Sequence, residues 1–136
     1  MWVRREAEGA FSVLMSQAER NMSIPARDSR SDLAAELGQS VCEVWRRVLS
    51  RTRYSEERNF GCDGVDYHFA YWARGIVMEG RTWSPPDGTV PGMLAALSQS
   101  LRDYVQNTGQ ANEPIMERIK QQAAWLLAHE ELKKVK

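Results

Sequence analysis

At 136 residues the chain suits one domain with a core of its own, and a 43% apolar, 26% charged composition is that of an ordinary globular protein. Its 18 Lys and Arg residues balance 18 Asp and Glu residues. That argues against a general binder of nucleic acid or of anionic membrane, which would carry a basic excess or patch. No apolar run approaches the roughly 20 residues of a spanning helix, and Glu6 and Glu8 stand where a signal peptide has its apolar stretch. A cytoplasmic protein is therefore expected, with Met22 as a second candidate start.

In chain order, Val3, Ala7, Phe11, Leu14 and Ala18 recur at spacings of three and four, which predicts an amphipathic helix over 2–20, weakened by Gly9. Residues 21–30 read as a linker, because Pro25 biases Ile24 to extended backbone. Residues 1–30 are thus expected to be an N-terminal helix and linker, with a single α+β domain over 31–136. Ser29 with Asp32, or Ser31 alone, is placed to cap a helix from about Asp32 to Arg51. Its stripe is Leu33, Leu37, Val41, Val44, Trp45, Val48 and Leu49. A polar loop follows, in which Arg58 to Gly61 is placed to add a short edge strand, and Asp63-Gly64 reads as a turn.

The period then changes. Val65, Tyr67, Phe69 and Tyr71 alternate with Asp66, His68, Ala70 and Trp72, as in a strand, and Ile76 to Trp83 returns after an Arg74-Gly75 turn. A two-residue turn sets Trp72 opposite Val77, Tyr71 opposite Met78, Ala70 opposite Glu79, Phe69 opposite Gly80, His68 opposite Arg81 and Tyr67 opposite Thr82. One face then collects Val65, Tyr67, Phe69, Tyr71, Ile76, Met78 and Thr82; the other collects Asp66, His68, Trp72, Val77, Glu79, Arg81 and Trp83. Ser84-Pro85-Pro86-Asp87-Gly88 ends the ladder. Thr89, with Pro91 in the first turn, starts a helix that Asn107-Thr108-Gly109 ends, and Asn112 starts the last helix, striped by Ile115, Ile119, Ala123, Leu126 and Leu127. The expected fold is α+β: an antiparallel hairpin or small sheet packed by three to four helices, in the order α-α-β-β-α-α. The open hairpin edges make pairing with a second copy plausible.

Few residues suggest chemistry. Cys42 and Cys62 show no zinc spacing, and whether they are bridged stays open. The glycines fit no phosphate loop, so no cofactor is expected, and one His beside two carboxylates is a weak metal set, so no metal is expected either. The polar hairpin face is the one convergent set. Asp66, His68 and Glu79 are the candidate catalytic groups of a small enzyme, or part of a salt-bridged solvent face. His68, Trp72, Arg81 and Trp83 are the candidate binding residues, since Trp beside Arg is the composition of binding hot spots. The alternative is that the N-terminal helix buries both Trp residues. The aromatic face lacks the basic surround of an RNA-binding sheet.

The pattern Asp63-Gly64-x-x-Tyr67-His68-Phe69, then Gly80-x-Thr82-Trp83-Ser84-Pro85, then a Leu-rich helix, resembles a group of small bacterial proteins of unknown function over residues 61–105. That resemblance brings no catalytic residue or ligand. In type, though not in motif, the chain is similar to bacterial immunity proteins that neutralise toxins: small, cytoplasmic, neutral to acidic and without catalytic signature. The function expected is a non-catalytic protein-binding module of immunity or regulatory type, its partner a toxin, another protein or a second copy. The rivals are the small enzyme and a structural homodimer.

Overall fold

The computed structural model describes residues 2–5, 11–17, 27–51, 64–73, 75–107 and 112–132. The elements are β1 (Trp2–Arg5), β2 (Phe11–Gln17), β3 (Arg27–Leu33), α1 (Ala35–Leu49), β4 (Asp66–Ala73), β5 (Ile76–Trp83), α2 (Val90–Gln106) and α3 (Glu113–Leu132). The fold is α+β, and the described residues form three helices, a two-stranded hairpin and an additional three-stranded sheet in the order β1-β2-β3.

That N-terminal sheet corrects the expected order. The helix predicted over 2–20 is replaced by two antiparallel strands, with Trp2 opposite Leu14 and Arg5 opposite Phe11. The stretch read as linker contributes β3, which pairs along β2 from Phe11–Leu33 to Gln17–Arg27. The positions used to argue for a helix are mostly odd-numbered, so they also fit a period of two once Phe11, Val13 and Met15 are counted together. An isolated helix broken by Gly9 is marginal, whereas sheet pairing satisfies the backbone.

Helix α1 begins three residues later than expected. Ala34 occupies its N-cap position without a side-chain cap, because Ser29, Ser31 and Asp32 are committed to β3. Its apolar stripe is otherwise as read: Leu37, Val41, Val44 and Leu49 are buried, and Trp45 and Val48 pack beside them. Gly38 is buried against Phe11, whose ring occupies the space a Cβ would need.

The hairpin has the register read from the sequence, from Asp66–Trp83 to Ala73–Ile76, with Gly75 at φ 79° in the turn. It rests on α1. Phe69 is buried, stacked on Tyr67 (6.1 Å between centroids) and edge-on to Trp45 of α1 (6.3 Å). Tyr71 and Met78 complete this contact.

The expected cap of α2 is present. Thr89 Oγ1 accepts from the Gly92 N–H (3.1 Å) and donates to the Pro86 carbonyl (2.7 Å). Asn107 takes the C-cap position of α2. Leu94, Leu97 and Leu101 of α2 and Ile119, Ala123 and Leu126 of α3 fill the core with the α1 stripe. The Tyr104 hydroxyl donates to the Asp32 carbonyl (2.8 Å), which ties α2 to β3. The expected strand at 58–61, Cys62 and the Gly109 cap lie outside the described residues. Cys42 is half-buried on α1. Among the described residues no helix is long and apolar enough to cross a membrane.

Candidate functional site

The hairpin has two unlike faces because its side chains alternate and α1 covers only one of them. The outer face carries Asp66, His68, Trp72, Val77, Glu79, Arg81 and Trp83, the set that the register predicted.

Its charges pair diagonally. Arg81 lies opposite His68 in the backbone register, but its guanidinium reaches Asp66, with Nε 2.9 and 2.8 Å from the two carboxylate oxygens and a further nitrogen at 2.5 Å. The hydrogen bond from Arg81 is the main reason that the Asp66 carboxyl is held below its ordinary range, and the same bond raises Arg81. His68 Nε2 stands 3.7 Å from a Glu79 oxygen, the second diagonal pair of the same sense. Opposite and diagonal neighbours on one sheet face are within reach of long side chains, so the register alone accounts for both pairs.

The Asp66, His68 and Glu79 carboxylates and imidazole are all solvent-exposed, on an open face. Asp66 is engaged by Arg81, and His68 and Glu79 are too far apart for a hydrogen bond. General acid–base chemistry is favoured where burial or a charge partner moves a group towards neutral pKa. Asp66 moves the other way. Among the described residues no group of three His, Cys, Asp or Glu side chains is placed to hold a metal ion.

The two tryptophans differ. Trp72, near the turn, is 73% exposed. Trp83, at the open end, is half-buried, its ring folded over Gly64 so that a Cβ there would come 2.7 Å from Cζ2. The same end is clasped by Ser84: its N–H donates to the Val65 carbonyl (2.8 Å), and its Oγ accepts from the Val65 N–H (2.9 Å). Among the described residues no N-terminal helix covers the outer face, since residues 2–5 and 11–17 are strands.

Around the turn, Val77 is 55% exposed beside Trp72, and Ile76 is 63% exposed. The sequence reading put Ile76 and Val65 on the core face. Their parity is right, yet both lie past the ends of the stretch that α1 covers, and Val65 is exposed too. Closeness to the Gly75 turn was the available signal that Ile76 would be open. The tip therefore exposes Trp72 and Val77 on the outer face and Ile76 on the opposite one, and the polar row of Asp66, His68, Glu79 and Arg81 continues along the outer face.

Known protein families, curated proteins and solved structures give no match to this chain. The physical character of the hairpin is thus what a functional reading rests on. The polar loop over residues 52–63 lies outside the described residues.

Proposed function

We propose that the protein is a non-catalytic protein-binding module that grips another protein with the tip and outer face of the β4–β5 hairpin. The observation that carries this reading is Trp72, which stands 73% exposed among other apolar side chains. A large aromatic ring left in water next to a second exposed apolar side chain, Val77, is the usual composition of an interface anchor. Trp72 and Val77 supply the apolar centre, and Arg81 and His68 supply directional contacts farther along the same face, with Trp83 as a wall at the far end. A toxin neutralised in the cytoplasm is one such partner, in keeping with the immunity-type character of the chain.

The experiment is affinity purification from the native host with the wild type and with Trp72→Ala in parallel, followed by titration of the protein that co-purifies stoichiometrically. Truncating a hot-spot Trp raises Kd by roughly 30-fold or more, the equivalent of about 2 kcal/mol. Equal affinity of Trp72→Ala and wild type for that partner overturns the proposal. So does a turnover activity abolished by Asp66→Asn or His68→Ala with no partner retained, which is the outcome the small-enzyme reading requires.

A further inference from the structure

Among the described residues the hairpin is a two-stranded sheet, so each of its strands has one edge that no described strand pairs. Sheets normally protect such edges with short strands, proline, lysine or a bulge. β5 has none of these. Ile76–Trp83 contains no Pro or Lys, and its pairing with β4 runs without a break from Ile76–Ala73 to Trp83–Asp66. Among the described residues, β4 alone is hydrogen-bonded to the backbone of Ile76–Trp83. Among the described residues, the outward-pointing amides and carbonyls of alternate β5 residues are thus open to another strand.

The side chains say which strand fits. Two copies of β5 related by a two-fold axis perpendicular to the sheet pair antiparallel, and each keeps its helices on the same side. Only registers centred on a residue preserve the faces. Centring on Glu79 sets Glu79 against its own copy, and centring on Arg81 sets Arg81 against its own copy. Both place like charges with Cβ atoms about 5 Å apart, which is destabilising. Centring on Gly80 sets Glu79 opposite Arg81 of the second copy, twice by symmetry. It also sets Met78 opposite Thr82 and Val77 opposite Trp83. Centres nearer either end of the strand shorten the ladder.

We infer that the protein self-associates through β5, forming a continuous four-stranded antiparallel sheet β4-β5-β5-β4 centred on Gly80. The Asp66–Arg81 ion pair of each copy then runs on to Glu79 of the second copy, with the His68 imidazole of that copy beyond it, and the same row reversed. A β4–β4 pairing has no comparable charge match, because Asp66 is the one carboxylate of β4 and no Lys or Arg accompanies it. The interface leaves both Trp72 rings open, so it does not rest on the partner-binding proposal above. The two readings fail separately.

The test is the mass of the full chain in solution, by sedimentation or light scattering from micromolar to millimolar concentration. Wild type shows a concentration-dependent dimer. Glu79→Arg alone and Arg81→Glu alone each set like charges together twice, weakening the dimer by roughly tenfold or more. An equimolar mixture of these two variants recovers a dimer, since Arg at position 79 of one meets Glu at position 81 of the other and Arg81 meets Glu79. Trp72→Ala dimerises as wild type does. Circular dichroism on each variant establishes that it is folded, and the mixture gives a gain of association that misfolding cannot imitate. A wild type that stays monomeric to millimolar concentration overturns the inference. So do single variants that dimerise like wild type, a mixture that remains monomeric while wild type dimerises, or a dimer lost in Trp72→Ala.

Discussion

Among the described residues, Ser84 alone has a positive φ without being glycine, at 35°. A side chain in the left-handed region is strained by about 1 kcal/mol or more. Two hydrogen bonds to Val65 hold it there and close the open end of the hairpin. Replacing Ser84 by Ala removes the Oγ acceptor and keeps the strain, for an expected loss of about 1–2 kcal/mol. Ser84→Gly loses the same acceptor but relaxes the backbone, so it is expected to be about 1 kcal/mol more stable than Ser84→Ala in urea unfolding. Equal midpoints for the two variants would show that no strain is held at this position. Gly38 is a second such point. A methyl there meets the Phe11 ring, so Gly38→Ala is expected to lower stability by about 1–3 kcal/mol, checked by thermal unfolding.

Glu43 sets a pH dependence at the same scale. It accepts hydrogen bonds from Arg46 (2.8 and 2.6 Å) and from Arg47 (2.5 Å), and these lower its pKa from 4.5 to about 2. The folded state therefore favours the ionised form. The stabilisation is fully present above the unfolded value and is lost as pH falls from there through about 2. The cluster is near the surface, so screening keeps its contribution below about 1 kcal/mol. Glu43→Gln should accordingly destabilise the protein slightly at pH 7. The gap to wild type should close on acidification below pH 4.5, measured by urea unfolding at a series of pH values.

At the scale of the element, the hairpin is attached chiefly through one buried ring. Phe69 sits between Tyr67 and Trp45, opposite Gly80, with α1 beneath. Phe69→Ala is expected to cost about 3–5 kcal/mol and to release amide protection across 66–83 before that of α2 and α3, read by hydrogen exchange. The register of this element was legible in the sequence to the residue. A two-residue turn leaves one pairing that sorts Tyr67, Phe69 and Tyr71 from Asp66 and His68, and a slip mixes them. α2 was legible for a similar reason, since Thr89, Pro91 and the leucine stripe agree with one another. The strands β1–β3 were not. β3 is RDSRSDL, with one apolar residue in seven, so no alternation marks it. It exists because β2 offers it a ladder and because Leu33 is buried opposite Phe11. Ser31, also buried, keeps an Oγ without a hydrogen-bond partner, a polar group that no pattern of hydrophobic residues would place inside. At the candidate site, neither the exposure of each Trp nor the pairing of the charges was legible in the residue pattern. The difference between Trp72 and Trp83 depends on Gly64 being close enough to receive a ring. The Asp66–Arg81 pair depends on a diagonal reach, which directly opposite positions do not reveal.

For the whole molecule, α1 is the shared partner. It touches the β1–β2 strands, both strands of the hairpin and α3, while α2 closes over β2, β3 and α3. Each other unit is built from neighbours in sequence: the β1–β3 meander, the β4–β5 hairpin and the α2–α3 pair. An isolated hairpin or meander is marginal in water, so each unit gains lasting stability only when it docks on α1. The consequence is kinetic. The α1 face that unites the units is the natural nucleus, so Val41→Ala and Val44→Ala should slow refolding, with φ-values well above those at hairpin positions such as Thr82. A chevron series over these sites gives the order of assembly. If helix α1 is what the strands wait for, its variants move the folding limb, whereas variants in the hairpin move mainly the unfolding limb.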